Sequence, residues 1–203
     1  MIMEYNPPAI LPPRVSDKRL VLASNSPRRR ELLALITPQF SIAESRDVDE
    51  SYPADTPAAQ VPVLISQKKA RAYADYIQPD EILITADTVV IADDKILGKP
   101  HSIAEAHDML HLLSGRQHTV ITGVTLTSED KSDSFSAVTT VQFAPLTDEE
   151  IELYVTNYRP FDKAGSYGIQ EWLGCIAISS ISGSFYNVMG LPLHLLYTHL
   201  KSF

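Results

Sequence analysis

An apolar strand signal, Leu20 to Ala23, runs through a polar turn directly into a helix start. Ser26 fits the N-cap, and Pro27 fits the first helical position, where its missing N–H was unpaired anyway. Leu32, Leu33 and Ile36 supply the apolar face that follows. A strand and a helix are thus joined at one sharp corner. Arg28, Arg29 and Arg30 occupy the first turn of that helix, the end where its dipole favours negative charge. Two readings account for them. Either an anion sits at the helix start, held by backbone N–H groups, serine hydroxyls and guanidinium forks, or the arginines simply point to water. A phosphate chain is the obvious anion.

The alternation of strand and helix continues along the chain. Phe40 to Ala43 reads as a short strand, followed by a polar, acidic stretch from Glu44 to Thr56. A helix is predicted from about Pro57 or Pro62 to Ile77, with Leu64, Tyr73, Ala74 and Ile77 among its apolar positions. Ile82 to Ile91 is a strongly apolar strand that turns at Asp93-Asp94 into Ile96-Leu97. Ser102 to Glu105 has the spacing of a capping box and opens a helix with Ile103, Ala106, Met109, Leu110 and Leu113 inward, stopped by Ser114-Gly115. His118 to Thr127 and Ser134 to Phe143 read as two antiparallel strands. Thr147 to Glu150 is a second capping box, a strand is expected from Cys175 to Ser179, and a helix from Leu193 to Leu200. These elements predict an α/β fold with a mixed, twisted sheet and flanking helices, not a regular doubly wound one.

The chain has 203 residues, 44% of them hydrophobic, which suits one sizeable domain. No repeat, low-complexity tract or interdomain linker interrupts it. Residues 1–17 carry four prolines and little periodicity, so they read as a loose N-terminal extension to a single domain over residues 18–203. The net charge is −8, with a pI near 5.2, which argues against a general nucleic-acid or anionic-membrane binder. The arginine cluster runs against that background. Cys175 is the single cysteine, so no intrachain disulfide forms, and a cytoplasmic setting is the simplest reading. Its apolar surroundings predict a buried, inert thiol. No stretch is long and apolar enough to span a membrane, and no signal peptide is evident.

Within the apolar strand Ile82–Ile91 lies Asp87. A carboxylate there is costly unless it is paired, so it is either a metal ligand or general base, or a side chain hydrogen-bonded to a neighbouring loop. Asp47, Asp49 and Glu50 form an acidic cluster that is either surface or the source of one carboxylate sharing a hard metal ion with Asp87. Lys68 and Lys69 are adjacent on a helix, so one can face inward and the other outward. Gly98-Lys99-Pro100 holds Lys99 on a short stiff loop, as a phosphate ligand or as a solvated lysine. Asp162 to Gln170 is too glycine-rich and polar for a packed element and reads as a ligand-binding loop. In it, Gln170 offers both a donor and an acceptor, suited to a nucleobase edge or to an ordinary loop amide. His107 and His111 share helical spacing but lie off the apolar face with no third ligand, and read as solvated. Neither a Walker A loop, nor G-x-G-x-x-G, G-x-S-x-G or paired C-x-x-C, is present.

Eight blocks in order resemble the Maf family of nucleoside triphosphate pyrophosphatases: Leu22 to Arg29, Asp47 to Glu50, Lys69-Ala70, Ala86 to Val90, Leu97 to Pro100, Thr122 to Val124, the loop Asp162 to Gln170, and Gly190 to Leu193. The resemblance covers about residues 18–198. It implies a fold like the inosine triphosphatase superfamily, elongated and two-lobed around a central cleft. It implies a cytoplasmic, often dimeric enzyme that cleaves a nucleoside triphosphate between the α and β phosphates and needs Mg²⁺ or Mn²⁺. The Tyr167-Gly168-Ile169-Gln170 block resembles the branch that prefers dTTP and UTP. Carried onto this sequence, Asp87 is the proton acceptor near the metal, and Glu50 assists with the metal. Ser24, Ser26, Arg28, Arg29, Lys69 and Lys99 bind the triphosphate, and Lys163 lies near the phosphates. Arg28, Thr88 and Gln170 match positions linked to substrate choice. The resemblance also implies a tie to arrest of septum formation, and with it the alternative of a nucleotide-binding regulator. A nucleotidyltransferase is a third reading, weakened by the absence of its glycine-rich turn. Two features depart from the family pattern: Thr37-Pro38 stands where the first helix usually closes on glycine, and Glu171-Trp172 follows the loop glutamine where a glycine is usual.

Overall fold

The computed structural model describes residues 11–203. Among them seven strands form one mixed sheet, with the order β2-β1-β3-β5-β6-β7 and β4 paired to β3. The strands are β1 (Arg19–Leu22), β2 (Phe40–Ile42), β3 (Glu81–Ala92), β4 (Lys95–Leu97), β5 (Gln117–Thr127), β6 (Ser132–Phe143) and β7 (Ile178–Ser182). The helices are α1 (Pro27–Ala34), α2 (Val61–Arg71), α3 (Ile103–Leu113), α4 (Asp148–Tyr158), α5 (Trp172–Ala177), α6 (Phe185–Met189) and α7 (Leu193–Ser202). β1 pairs in parallel with β2 and β3, and the remaining pairs are antiparallel. The α/β expectation with a mixed sheet holds.

Alternation along β3 distributes the layers. Ile82, Ile84 and Ala86 face Leu32 and Leu33 of α1 and Leu193, Leu196 and Leu200 of α7. Val89, on the opposite face, packs with Ile121 of β5 and with Val61 and Ile65 of α2. Farther along the sheet, Val90, Val120, Val141 and Phe143 close a second core with α3, α4 and α5. Each fully buried Leu or Ile contributes about 1.5–3 kcal/mol to these layers.

Two details of β3 position the site. Its first four residues pair with β1 and its last three with β4, both on one edge, so residues 85–89 face no strand there. Its other edge pairs with β5 from Leu83 to Ile91, where Asp87 lies opposite Gly123. A Cβ on Gly123 would stand 2.3 Å from Pro62 C and Val63 N. Only glycine lets α2 lie this close to the sheet. Ser66 reinforces the contact: its carbonyl accepts from Thr85 Oγ1 at 2.8 Å and its hydroxyl meets Thr125 Oγ1 at 2.8 Å.

Several expectations need correction. Residues 1–10 of the extension lie outside the described residues, but its remainder is not loose. Pro13–Val15 forms a 3₁₀ turn, and Val15, 1% exposed, joins the core beside α7. The helix predicted to reach Ile77 ends at Arg71 and is followed by a 3₁₀ turn at Ala74–Tyr76. Ile103 is exposed, because it opens α3 ahead of the turn that meets the sheet. Ser102 caps Glu105 N, but the Glu105 carboxylate takes the His101 N–H instead of completing the box. Cys175 lies in α5 with an exposed thiol; its short apolar run coils into a helix behind the N-cap Glu171. The loop from 162 to 170 is packed: Lys163, Ser166, Tyr167 and Ile169 are buried, since its charges are paired with each other, with Arg28 and with Glu171.

Candidate active site

Asp87 sits in the stretch of β3 whose edge faces no strand, with its side chain 14% exposed. Above it, α2 delivers Lys69, whose ammonium lies 2.9 Å from Asp87 Oδ1 and 2.9 Å from Glu50 Oε1. Lys69 is the inward lysine of the adjacent pair. Lys68 turns outward to the acidic loop, donating to Ser51 O and lying 3.6 Å from Asp49 Oδ2. The Tyr73 hydroxyl accepts from Arg46 N at 3.2 Å and donates to Glu44 O at 3.0 Å, while the Arg46 guanidinium lies 3.4 Å from the Tyr76 ring centroid. The acidic stretch is thereby tied to α2 through Lys68 and Lys69 and, at its start, to the turn that follows α2, and Glu50 is the member of the cluster that reaches the Asp87 lysine. Asp49 is engaged instead by the Ser51 hydroxyl and N–H, which hold its carboxyl below the usual range. Asp47 is exposed.

From the opposite face α1 supplies Arg29. Its Nε donates to Gly190 O at 2.8 Å, Nη1 to Ala86 O at 2.9 Å and Nη2 to Thr88 Oγ1 at 3.1 Å. The Ala86 carbonyl belongs to the open stretch of β3, so Arg29 answers an acceptor that no strand pairs. Burial pushes the Arg29 pKa down, yet a guanidinium remains charged. Three of its five N–H groups are thus spent on the protein. Thr88 also meets Thr122 Oγ1 at 2.9 Å. Ser26 occupies the N-cap as expected but makes no side-chain cap bond; the Ser24 hydroxyl accepts from Ser26 N at 3.2 Å.

Arg28 reaches across to Asp162, using Nη1 on the carboxylate and Nη2 on the carbonyl at 3.2 Å. Lys163, only 8% exposed, lies 2.8 Å from Asp162 Oδ1 and 3.0 Å from Glu171 Oε1. Burial alone would raise the Asp162 pKa, but Lys163 and Arg28 outweigh it and hold the carboxyl below its usual range. The exposed Lys99 lies next to the same loop, because Gly98 O accepts from Gly165 N at 3.0 Å. Gln170 is exposed at the end of that loop.

The structure therefore gathers Asp87, Glu50 and Lys69 into one cluster, Arg29 with Thr88 into a second, and Arg28 with Lys163 into a third, centred on Asp162. Asp162, Glu171 and the Gly190 carbonyl complete these clusters without having been singled out as ligands. Asp162 meets Arg28, and the Gly190 carbonyl meets Arg29, only across long stretches of sequence, and no spacing signals these pairs. His118 is a further buried group: its Nε2 meets the Tyr167 hydroxyl at 2.8 Å, and burial lowers its pKa to about 4. His107 and His111 face carboxylates on α4, Glu152 at 3.2 Å and Asp148 at 3.8 Å. No group of three or more His, Cys, Asp or Glu able to hold a metal occurs among the described residues.

Asp87 thus lies on an open stretch of the central strand β3, paired with Lys69 of α2 on one face of the sheet, while Arg29 of α1 lies on the other. The family model described as "Maf-like protein" matches residues 19–203, and the chain belongs to that family. A dTTP/UTP pyrophosphatase of Bacteroides thetaiotaomicron is 52% identical over 183 residues, which is 90% of this chain and 95% of that protein. A dTTP/UTP pyrophosphatase of Porphyromonas gingivalis is 52% identical over 187 residues, 91% of this chain and 94% of that protein. A HAM1 protein from Coxiella burnetii covers 92% of this chain and 100% of its own, with a TM-score of 0.49 and 17% identity, a likeness too low to carry weight.

Proposed function

We propose that the chain is a nucleoside triphosphate pyrophosphatase that hydrolyses dTTP and UTP to the monophosphate and pyrophosphate. The observation that carries this reading is the meeting of Asp87 and Glu50 on the Lys69 ammonium, at the open stretch of β3 beside the cationic start of α1. The names of the relatives that are 52% identical support the substrates.

Phosphoryl transfer asks a protein for positioning and charge neutralisation more than for covalent chemistry. Arg28, Lys69 and Lys99 neutralise the triphosphate, with Ser24 and Ser26 at the turn and Lys163 close behind. Arg29 holds the open strand and Thr88 in place from below. Asp87 accepts a proton from water as the water oxygen bonds to the α-phosphorus. The bond from that phosphorus to the α–β bridging oxygen breaks, and pyrophosphate leaves with the electron pair. Arg28, Thr88 and Gln170 read the substrate.

Two carboxylates that share one ammonium at 2.9 Å each also suit a hard divalent cation. Asp87 and Glu50 would hold it, with phosphate and water oxygens completing its shell, as Mg²⁺ sites commonly do. When bound, Mg²⁺ or Mn²⁺ supplies charge neutralisation on the phosphates and a lowered pKa for bound water. The same reading has the enzyme acting in the cytoplasm as a homodimer, on a small nucleotide and not on a nucleic acid polymer or a membrane. The net charge of −8 supports that preference, and no helix among the described residues is long and apolar enough to cross a membrane. A role in septum-formation arrest is supported by the resemblance alone.

The test is to incubate the protein with Mg²⁺ or Mn²⁺ and a panel of canonical and modified nucleoside triphosphates, quantifying monophosphate, pyrophosphate and orthophosphate separately. Equal yields of monophosphate and pyrophosphate from dTTP and UTP are expected. Binding without either product would replace the enzyme with a nucleotide-binding regulator.

A further inference from the structure

The departure at Glu171 is built into the loop that carries Gln170. Residues 168–171 form a tight turn, closed by Glu171 N donating to Gly168 O at 3.1 Å. Ile169 points into the core at 7% exposure, and Gln170 stands outside. Both ends of this turn are tied to a single atom. The Tyr154 hydroxyl accepts from Gly168 N at 3.1 Å and donates to Glu171 Oε2. Tyr154 is itself completely buried on α4. Burial, and then the Glu171 carboxylate, push its pKa up, so the phenol keeps the proton it donates. The other carboxylate oxygen of Glu171 holds Lys163 at 3.0 Å. Space around the turn is fully used: a Cβ on Gly168 would stand 2.8 Å from Glu171 Cδ, and one on Gly174 would stand 2.0 Å from Ile169 O.

We propose that Tyr154 and Glu171 are positioning residues for base recognition, which fix Gln170 at the tip of a doubly tethered turn. The proposal rests on the reading that Gln170 faces the base. A tethered amide meets the base edge without first losing its own freedom, so the tether acts on substrate binding and on discrimination, not on the chemical step. Glycine at position 171 would keep the backbone closure of the turn but leave its only side-chain tether at Gly168, and would leave Lys163 paired only with Asp162.

The experiment measures kcat and KM for dTTP, UTP and dGTP in Glu171→Gly, Glu171→Gln, Tyr154→Phe and Gln170→Ala, with melting temperatures recorded for each. Glu171→Gly and Tyr154→Phe are expected to raise KM for dTTP and UTP about tenfold, equivalent to ~1.4 kcal/mol. Their kcat should change less than about twofold, and the preference for dTTP over dGTP should fall by a similar factor to KM. Glu171→Gln keeps an acceptor for Tyr154 and is expected to recover most of the KM. Should Glu171→Gly not fold, the isosteric Tyr154→Phe carries the same readout. If Gln170→Ala shifts base preference while Glu171→Gly and Tyr154→Phe do not, the tether is overturned and base reading by Gln170 survives. An equal loss of kcat for all three nucleotides would also overturn it, since that marks a general structural role. If Gln170→Ala leaves preference unchanged, base reading by this loop fails and the tether falls with it.

Discussion

Replacing Gly123 by alanine tests whether the spacing between α2 and the sheet sets the active-site geometry. The added Cβ would stand 2.3 Å from Pro62 C and Val63 N, both backbone atoms with no side-chain freedom to yield. Ordinary contact begins near 3.4 Å, so the start of α2 must lift by about 1 Å. The same helix carries Lys69, whose bonds to Asp87 and Glu50 are both 2.9 Å. A lift of that size takes Lys69 out of hydrogen-bonding range of Asp87 and also strains the Ser66 contacts to Thr85 and Thr125. Overpacking of this kind costs about 1–3 kcal/mol in stability. A misplacement of about 1 Å in a catalytic arrangement costs roughly a hundredfold in rate. Gly123→Ala should therefore remain folded, melt several degrees lower and release pyrophosphate from dTTP roughly a hundredfold more slowly. Thermal melting and a coupled pyrophosphate assay measure the two effects on one preparation. A variant with wild-type melting and wild-type turnover would refute the claim that α2 rests on Gly123.

Arg29→Lys should destabilise the fold by about 2–4 kcal/mol, because one ammonium cannot serve Gly190 O, Ala86 O and Thr88 Oγ1 together; a denaturant titration measures the loss. Stability should fall as pH drops from about 6.5 to about 4, since unfolded His118 takes up a proton in that window while the buried imidazole resists it. Each pH unit there costs about 1.4 kcal/mol, and His118→Gln should flatten the stability profile measured at pH 7, 6 and 5. Lys69→Met leaves Asp87 and Glu50 without their shared cation and should lower kcat/KM for dTTP by at least about a hundredfold; steady-state kinetics decide it.

Regular patterning made most elements legible. Long apolar runs such as Ile82–Ile91 and the Thr147 capping box mark their structures locally, and both appear where expected. The Asp93-Asp94 turn is equally local, with both residues at positive φ, as a tight hairpin requires. Short apolar runs mislead: residues 172–177 are too few to separate helix from strand by period, and they form a helix where a strand from Cys175 to Ser179 is expected. The loop from 162 to 170 is too glycine-rich and polar by composition for a packed element, yet its charges find partners on Arg28 and Glu171, contacts that arise only once the chain has folded. The site followed the same division. Asp87 announced itself as a costly carboxylate in an apolar strand, whereas the use of Arg29 to answer the Ala86 carbonyl depends on β1 and β4 leaving a gap along β3.

The most direct test of the account is hydrolysis of dTTP in ¹⁸O-labelled water by the wild type and by Asp87→Asn, with both products weighed by mass spectrometry. The account predicts that label enters dTMP alone in the wild type, and that Asp87→Asn forms neither product above about a thousandth of the wild-type rate. Label in pyrophosphate, or undiminished turnover without the Asp87 carboxylate, would contradict it.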